Sequence, residues 1–501
     1  MTHDPTASLT ELRDRLGVIA DLTQASALMT WDQRTYLPPK GNTGRSRAIA
    51  TIGRLRHDHM TDPGLADVLA ALEAADLEGD DAALVRETRR DVDLATRLPR
   101  ELVGRAAEQF SVAQTRWAAA RADDDFASFA PVLRENLVVV REIAQAHAAG
   151  GDLYDALHDL YERDSTAAAV EAVFTPLRAE LVELVGEIRE RGRAIDVAPL
   201  LGAFDEGRQE RFNVSVARAF GYDMEAGRLD RTTHPFASGI GRGDVRITTR
   251  YKSDDLRGAL FPTLHEAGHG IYEQNLPAEH AGTPLGRYAS LGVHESQSRL
   301  WENVVGRSLP FWEWAYPRLQ ETFPDRLGAV GLEAFHAAMN VVEPSLIRVE
   351  ADEVTYHLHV MIRFELERAL LDGSLEVDDL PGAWNERYEA YLGITPPDDR
   401  RGCLQDVHWA GGMIGYFPTY SLGTLLSAQL WEALRRDQGD VDDAMRRGEF
   451  GGILSWLIEH VHRHGRRYTP AELTRRATGA ELSAEPYLRY AREKYGTLYG
   501  L

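Results

Sequence analysis

The sequence predicts a mainly helical protein, of the all-α class, with one small β-sheet. Between residues 44 and 193 the chain is rich in Ala, Leu, Arg and Glu and has few helix-breaking residues, which is typical of successive long helices. Residues 342–371 carry an apolar stripe at helical spacing. Residues 244–251 give the strongest strand signal, because they alternate in polarity and are rich in β-branched side chains.

The N-terminal elements have recognisable boundaries. Ser8 and Glu11 form a capping box, and apolar residues then recur at helical spacing as far as about Trp31. Residues 31–39 contain aromatic residues and end in two prolines, which predicts a structured turn. The long helical region is predicted to break near residues 62, 79, 99 and 150. Pro262 stands where the first turn of a helix tolerates proline, so a further helix is expected to begin there.

The predicted helix at 342–371 also carries a mixed polar stripe. Its members recur at steps of three or four: Arg348, Asp352, Tyr356, His359 and Arg363. Such a row usually forms a solvated face, but the flanking glutamates of this helix form a better one. A buried or cleft-lining position explains the stripe equally well. On such a helix Asp352 lies one turn from Arg348 and can orient its guanidinium.

A loop is predicted at residues 402–420, where polar, aromatic and glycine residues occur together without amphipathic period. In an otherwise helical chain, a shaped loop of this kind often carries function. His408 lies within it. Taken in isolation, His408 is more simply explained as a core histidine hydrogen-bonded to Asp406 or to the backbone.

The motif HExxH occupies residues 265–269. Because residues i and i+4 share one face of a helix, His265 and His269 can present two imidazoles to one metal ion. Glu266 is rotated by about 100° from His265, so its carboxylate lies beside the ion, where it can hold and deprotonate the attacking water. This is the arrangement of zinc peptidases. A short pattern also occurs by chance, so the interpretation depends on a third ligand.

A catalytic zinc site has three protein ligands and one open position. The metzincin sequel HExxHxxGxxH is excluded, because Tyr272 and Asn275 stand in the places of its glycine and third histidine. The other solution takes a carboxylate from a later helix. Glu295 and Glu302 compete for this role, since residues i and i+7 face the same way. In enzymes of this kind an edge strand beside the active-site helix can bind substrate by main-chain pairing.

Composition limits the partners and the compartment. The 501 residues are 44% apolar, enough for a large core, and the formal charge of −22 argues against nucleic acid and anionic membranes as partners. Cys403 is the sole cysteine, so no internal disulfide can form. Residues 1–5 lack the features of a secretory signal, and no apolar run approaches a membrane span. We therefore expect a soluble cytoplasmic protein.

Six motifs stand in order along the chain. They are HPF at 234–236, DxRxT at 244–248, HExxH at 265–269, HESQ at 294–297, IRxxAD at 347–352 and GxxQDxHW at 402–409. With Trp31-Asp32-Gln33 near the start and residues 494–499 at the end, the chain resembles the thermostable metallocarboxypeptidase family typified by the Taq carboxypeptidase. The resemblance covers essentially the whole chain, and none of the six motifs departs from the pattern.

The resemblance implies one domain over residues 1–501, with a two-lobed helical body and a deep cleft similar to neurolysin and angiotensin-converting enzyme. It implies release of single residues from the C-termini of peptide substrates, with broad preference and usually sparing proline. It also implies zinc, for which cobalt can substitute, and a homodimer. Among the two candidate ligands it favours Glu295, the glutamate of HESQ.

These residues together predict a mechanism. Glu266 accepts the proton of the attacking water and passes it to the leaving amine. The oxyanion needs a donor besides the metal, and His408 or Tyr420 is the candidate. A carboxypeptidase also needs a cation for the substrate's terminal carboxylate, and the fork of arginine suits this role. Arg348 is the first choice and Arg246 the second.

Three alternatives remain at this point. An endo-acting oligopeptidase on the same scaffold would leave both arginines structural. In a helical binding or scaffold protein the HExxH motif would no longer hold metal; the intact set of three candidate ligands, with Glu266 present, argues against this alternative. An aminopeptidase would need an acidic anchor for the substrate amine, which no motif clearly supplies.

Overall fold

The structure, a computed structural model, describes residues 5–501. Residues 1–4, which contributed to the expectation of no secretory signal, lie outside it. The chain forms two compact units. Among the described residues, unit 1 comprises residues 5–96, Asp196–Met339 and Leu430–Glu481, and unit 2 comprises Arg97–Ile195, Asn340–Gln429 and Leu482–Leu501. Among the described helices none is long and apolar enough to cross a membrane.

The fold is mainly helical, as predicted. In chain order the helices are α1 (Pro5–Thr35), α2 (Asn42–Met60), α3 (Pro63–Glu73), α4 (Gly79–Arg97), α5 (Arg100–Asp123), α6 (Phe126–Ala148), α7 (Leu153–His158), α8 (Ala167–Arg191), α9 (Glu206–Phe220), α10 (Arg257–Gln274), α11 (Leu291–Arg299), α12 (Leu309–Thr322), α13 (Pro324–Leu327), α14 (Leu332–Met339), α15 (Thr355–Asp372), α16 (Leu380–Leu392), α17 (Pro418–Gln438), α18 (Val441–Arg446), α19 (Gly451–His460), α20 (Pro470–Thr478) and α21 (Glu485–Tyr499). A π-helical segment, Leu300–Val305, directly follows α11.

One small sheet lies in unit 1, which confirms the predicted fold class. Its strands are β1 (Gly227–Arg231), β2 (Ala237–Gly241) and β3 (Asp244–Thr249), in the order β1-β3-β2. The central strand β3 is parallel to β1 and antiparallel to β2. Ile247 of β3 is fully buried and lies against Gly270 of α10, so the sheet supports the helix that carries HExxH.

Each unit has its own apolar core. In unit 1, leucines at helical spacing on α1, including Leu12 and Leu16, pack with leucines of α3 such as Leu69. In unit 2, Leu102 and Ala106 of α5 pack against Val139 of α6. The spacing of these residues matches the period of an amphipathic helix, which explains why these helices were predictable.

The predicted helix at 342–371 is wrong in its first half, because α15 begins only at Thr355. Arg348 lies instead in a short 3₁₀ turn, Arg348–Glu350. The helix starts late because Asp352 Oδ1 accepts the backbone N–H groups of Val354 at 2.9 Å and Thr355 at 3.0 Å, as a helix N-cap does. Of the two explanations left open for the polar stripe, burial is the correct one for its members on α15, Tyr356, His359 and Arg363.

Two other local predictions had different outcomes. Ser8 lies inside α1, so the predicted capping box does not mark its start, and the helix continues beyond Trp31 to Thr35. The region from residue 402 to residue 417 is irregular except for a short 3₁₀ turn at Trp409–Gly411, which confirms a shaped loop before α17.

Candidate metal centre

Helices α10 and α11 approach each other at Gly268, which lies within HExxH. A Cβ atom at this position would lie 2.6 Å from the Cα of Ser298 and 2.7 Å from the carbonyl oxygen of Gln297. Real Cβ atoms do not come so close to backbone, so glycine is required for this contact. The close approach brings the two histidines of α10 to the glutamate of α11.

His265, His269 and Glu295 converge at one point. Glu295 Oε2 lies 3.6 Å from His265 Nε2 and 3.5 Å from His269 Nε2. Ligand atoms at about 2.1 Å from a tetrahedral zinc ion would be about 3.4 Å apart. The spacing and the set of two imidazoles and one carboxylate therefore fit zinc, and no other group of three or more candidate ligands occurs in residues 5–501.

The ring nitrogen that faces away from Glu295, Nδ1, makes a hydrogen bond in both histidines. His265 Nδ1 donates to Glu302 Oε2 at 2.9 Å, and His269 Nδ1 donates to the carbonyl oxygen of His294 at 3.1 Å. These hydrogen bonds place the proton on Nδ1 and leave both Nε2 lone pairs directed at the shared point. Hydrogen-bonded histidines of this kind are typical of metal sites in proteins.

Arg299 lies between the two glutamates. Its Nε donates to Glu295 Oε1 at 2.7 Å and its Nη1 to Glu302 Oε2 at 3.2 Å. Burial raises the pKa of each carboxyl, but Arg299 and the nearby imidazoles outweigh it, so the pKa of Glu302 falls to about 2 and that of Glu295 falls below its usual range. Both carboxylates are therefore ionised at neutral pH. This state suits Glu295 as a candidate metal ligand and Glu302 as the acceptor of the His265 hydrogen bond.

The imidazoles differ in their electrostatic surroundings. Burial lowers the pKa of His269 to about 3. For His265 burial also lowers the pKa, but Glu295 and Glu302 outweigh it, and the pKa is raised. This arrangement of anions around His265 favours a positive charge, which a bound cation would supply.

Glu266 lies beside this cluster and is 7% exposed. It makes no hydrogen bond or ion pair with any residue that the structure describes, so its oxygens are available to another partner. Burial is the main reason why the pKa of Glu266 rises to about 7, with a smaller contribution from the neighbouring glutamates. A buried carboxylate with a pKa near neutrality can accept and release a proton at neutral pH.

Arg246, the second candidate for the substrate carboxylate, lies on β3. Its Nε and Nη2 donate to the two oxygens of Asp244 at 2.7 and 2.8 Å. Its guanidinium also lies 4.2 Å from the centre of the Trp31 ring. These contacts occupy one edge and one face of the guanidinium.

The other predicted site residues lie together in unit 2. His408 Nε2 is 3.3 Å from the hydroxyl of Tyr420, and burial lowers the pKa of His408 to about 4, so its imidazole is neutral. Arg348 is 4% exposed; its Nε and Nη2 donate to Asp406 Oδ1 at 3.1 and 2.7 Å, and its Nη1 donates to the hydroxyl of Tyr356 at 2.9 Å. Asp406, and not Asp352, is therefore the carboxylate that orients Arg348.

Sequence reasoning missed several residues of these sites. Arg299 and the role of Glu302 were not predicted, although a cation four residues after a candidate glutamate ligand is a visible signal. Asp406 was noted only as a partner for His408, and its contact with Arg348 spans 58 positions. No periodicity relates residues so far apart.

Comparisons with known proteins identify the family of this chain. The family model of the carboxypeptidase Taq (M32) metallopeptidases matches residues 11–495. The chain belongs to this M32 family. Because the matched region spans both units, the family assignment applies to the whole described fold rather than to the HExxH segment alone.

Individual M32 relatives are similar over their full length. Thermostable carboxypeptidase 1 of Thermus thermophilus is 46% identical over 509 residues, covering 99% of this chain and all of that protein. Carboxypeptidase 1 of Bacillus subtilis is 38% identical and covers 98% of both chains. The crystal structure of the M32 carboxypeptidase from Deinococcus radiodurans R1 superimposes with a TM-score of 0.96 at 42% identity, covering 99% of this chain and all of that one. The M32 protein described here is a metallocarboxypeptidase, a peptide hydrolase.

Proposed function

We propose that this metallocarboxypeptidase uses zinc, held by His265, His269 and Glu295, and that cobalt can substitute. The convergence of these three side chains, with both histidines anchored through Nδ1, is the observation that carries the proposal. When bound, zinc would lower the pKa of the attacking water and polarise the scissile carbonyl.

In the proposed reaction Glu266 acts as the general base. Its carboxylate accepts the proton of the attacking water and then donates it to the amine of the leaving residue. The absence of any hydrogen bond from Glu266 to the described residues supports this role, because no partner has to be displaced. Its raised pKa supports the second step, in which the carboxyl must be protonated.

We assign supporting roles to residues of unit 2. His408 or Tyr420 is proposed to donate to the oxyanion, and the neutral state of His408 leaves it able to donate from one ring nitrogen. Arg348 is proposed to bind the terminal carboxylate of the substrate, with Arg246 as the second choice. On this basis residues 1–501 act as a single functional domain.

The proposed substrates are peptides with a free C-terminus. The enzyme would release their C-terminal residues one at a time, with broad preference, and would usually spare a C-terminal proline. We further propose a cytoplasmic homodimer with no nucleic-acid or membrane partner. The formal charge of −22 supports the exclusion of anionic partners.

A matched pair of peptides tests the proposed activity. We expect the free-acid peptide to lose residues one by one from its C-terminus and the C-terminal amide of the same sequence to be cleaved much more slowly, because only the acid offers a carboxylate to a buried cation. Mass spectrometry of the products over time records both. Internal cleavage of the acid and the amide at equal rates would instead indicate the endo-acting oligopeptidase.

A further inference from the structure

Two buried guanidiniums in unit 2 share a single carboxylate. Arg348 donates from Nε and Nη2 to Oδ1 of Asp406, and Arg363 donates from Nε to Oδ2 at 2.8 Å. The side chains of Arg348 and Arg363 are 5% and 0% exposed, and that of Asp406 is 12% exposed. Within residues 5–501 neither arginine makes an ion pair with another carboxylate. The group of three, named here the Arg348–Asp406–Arg363 cluster, therefore carries one excess positive charge.

Neighbouring titratable groups do not cancel this charge. His408 is neutral, since burial lowers its pKa to about 4. Burial and the guanidinium of Arg363 lower the pKa of His359, so this imidazole is neutral as well. Glu367, one turn beyond Arg363 on α15, makes no ion pair with either arginine, and burial raises its pKa to about 8, so it is mostly protonated at neutral pH.

An unbalanced buried charge is strongly unfavourable unless another ion compensates it. From this we infer that Arg363 neutralises Asp406 and so leaves the charge of Arg348 for the terminal carboxylate that Arg348 is proposed to bind. Arg363 is then a positioning residue, since it acts through Asp406 and Arg348. The inference rests on the proposed carboxypeptidase activity and adds the reason why a salt-bridged arginine can still bind an anion.

The hydrogen bonds distinguish the roles of the two arginines. Arg363 Nη1 donates to the carbonyl oxygen of His359 at 2.9 Å, and both its Nη atoms lie within 3.4 Å of the hydroxyl of Tyr388. With Nε on Asp406, all its nitrogens are engaged inside the protein. Arg348 uses one N–H of Nη1 and one of Nη2 on Tyr356 and Asp406. Each terminal nitrogen carries a second N–H, so Arg348 keeps two donors for a ligand.

Aromatic rings hold Arg348 without neutralising it. Its guanidinium carbon lies 5.8, 5.3 and 5.1 Å from the ring centres of Tyr356, Phe417 and Tyr420. Such rings stabilise a cation and limit its movement, while its formal charge is unchanged. The donor fork is therefore rigid, which favours binding of one carboxylate in one orientation.

Charge-changing variants test this inference, with the acid and amide peptides as substrates. Arg363→Met brings the cluster to zero net charge, and we expect about a 10-fold or larger fall in kcat/KM on the acid with a much smaller fall on the amide. Arg363→Lys keeps the charge and should retain most of the preference for the acid. In the double variant Arg363→Met with Asp406→Asn, the excess charge returns, and the preference for the acid should recover in part.

The pattern across the variants separates electrostatics from packing. A packing role predicts that the double variant is worse than Arg363→Met on both peptides, and that result would overturn the inference. So would an Arg363→Met enzyme that keeps the wild-type preference. If Arg363→Met does not fold, the double variant still tests the inference, because the inference requires it to cleave the free-acid peptide faster than the amide. Equal cleavage of acid and amide by the wild-type enzyme would contradict the proposed activity itself.

Inhibition by a product analogue gives a second measurement that does not depend on cleavage of the test ligand. N-acetylleucine should compete with the free-acid peptide, and N-acetylleucine amide should compete much less. We expect the inhibition constant of N-acetylleucine to rise about 10-fold or more in Arg363→Met and to rise much less in Arg363→Lys, which keeps the charge but not every hydrogen bond. An unchanged constant in Arg363→Met would overturn the inference.

Discussion

Replacing Glu266 by glutamine is expected to lower turnover of free-acid peptides by roughly 10²- to 10⁴-fold or more while the metal remains bound. The amide is almost the same size as the carboxylate but cannot accept a proton from the attacking water. The three candidate ligands are unchanged, and Glu266 makes no hydrogen bond or ion pair with them that the substitution would break. The checks are kcat on a free-acid peptide and the zinc content of the same sample.

Glu279→Gln is the matched control for this variant. It makes the same chemical change at an exposed position outside the metal centre, so both activity and zinc content should remain at the wild-type level. If Glu266→Gln turned over at a rate close to that of the wild type, another residue would have to act as the base.

The second large effect is expected on metal affinity. Glu295→Ala removes one of three candidate ligands and should prevent stable zinc binding, whereas Glu302→Ala leaves the three ligands in place and removes the acceptor of the His265 Nδ1 proton. Loss of such a hydrogen-bond partner typically lowers affinity by about 10- to 100-fold. Competition with a chromophoric zinc chelator would give both dissociation constants.

Arg299 donates to both glutamates and loses one acceptor in each variant. Glu302→Ala also removes the ion pair between Glu302 Oε1 and Arg307 Nη2 at 3.7 Å, so its cost in folding stability is expected to be the larger of the two and is measured separately from the zinc dissociation constant. A lower affinity in Glu302→Ala than in Glu295→Ala would mean that Glu302 is the ligand.

Features that depend on local spacing were predictable from the sequence. The HExxH motif places two histidines on one face of α10 because i and i+4 are neighbours on any helix. The alternation of residues 244–251 predicted β3, which ends at Thr249. The strands β1 and β2 were not predicted, because each has five residues and includes glycine, and β2 contains two glycines.

The ambiguity between Glu295 and Glu302 also has a physical reason. On a continuous α-helix the two would share a face, but Glu302 lies in the π-helical segment Leu300–Val305. A π-helix has more residues per turn than an α-helix, so the direction of Glu302 differs from that expected at i+7. Its carboxylate therefore reaches Nδ1 of His265, while Glu295 faces Nε2.

The surroundings of Arg348 could not be derived from spacing at all. The predicted helix paired Arg348 with Asp352, but Asp352 instead caps α15. Arg348 meets Asp406 and Arg363 through folding of segments that are distant in sequence. Charge balance in such a cluster is a property of the tertiary structure, so the excess positive charge was not visible in the sequence.

The most direct test of the proposed centre is a zinc titration of metal-free protein, with bound zinc and release of the C-terminal residue measured in the same samples. Because His265, His269 and Glu295 form a single site, we expect activity to rise with bound zinc and to reach its maximum at about one ion per chain. Release of the C-terminal residue at the full rate by the metal-free protein would contradict the proposed centre.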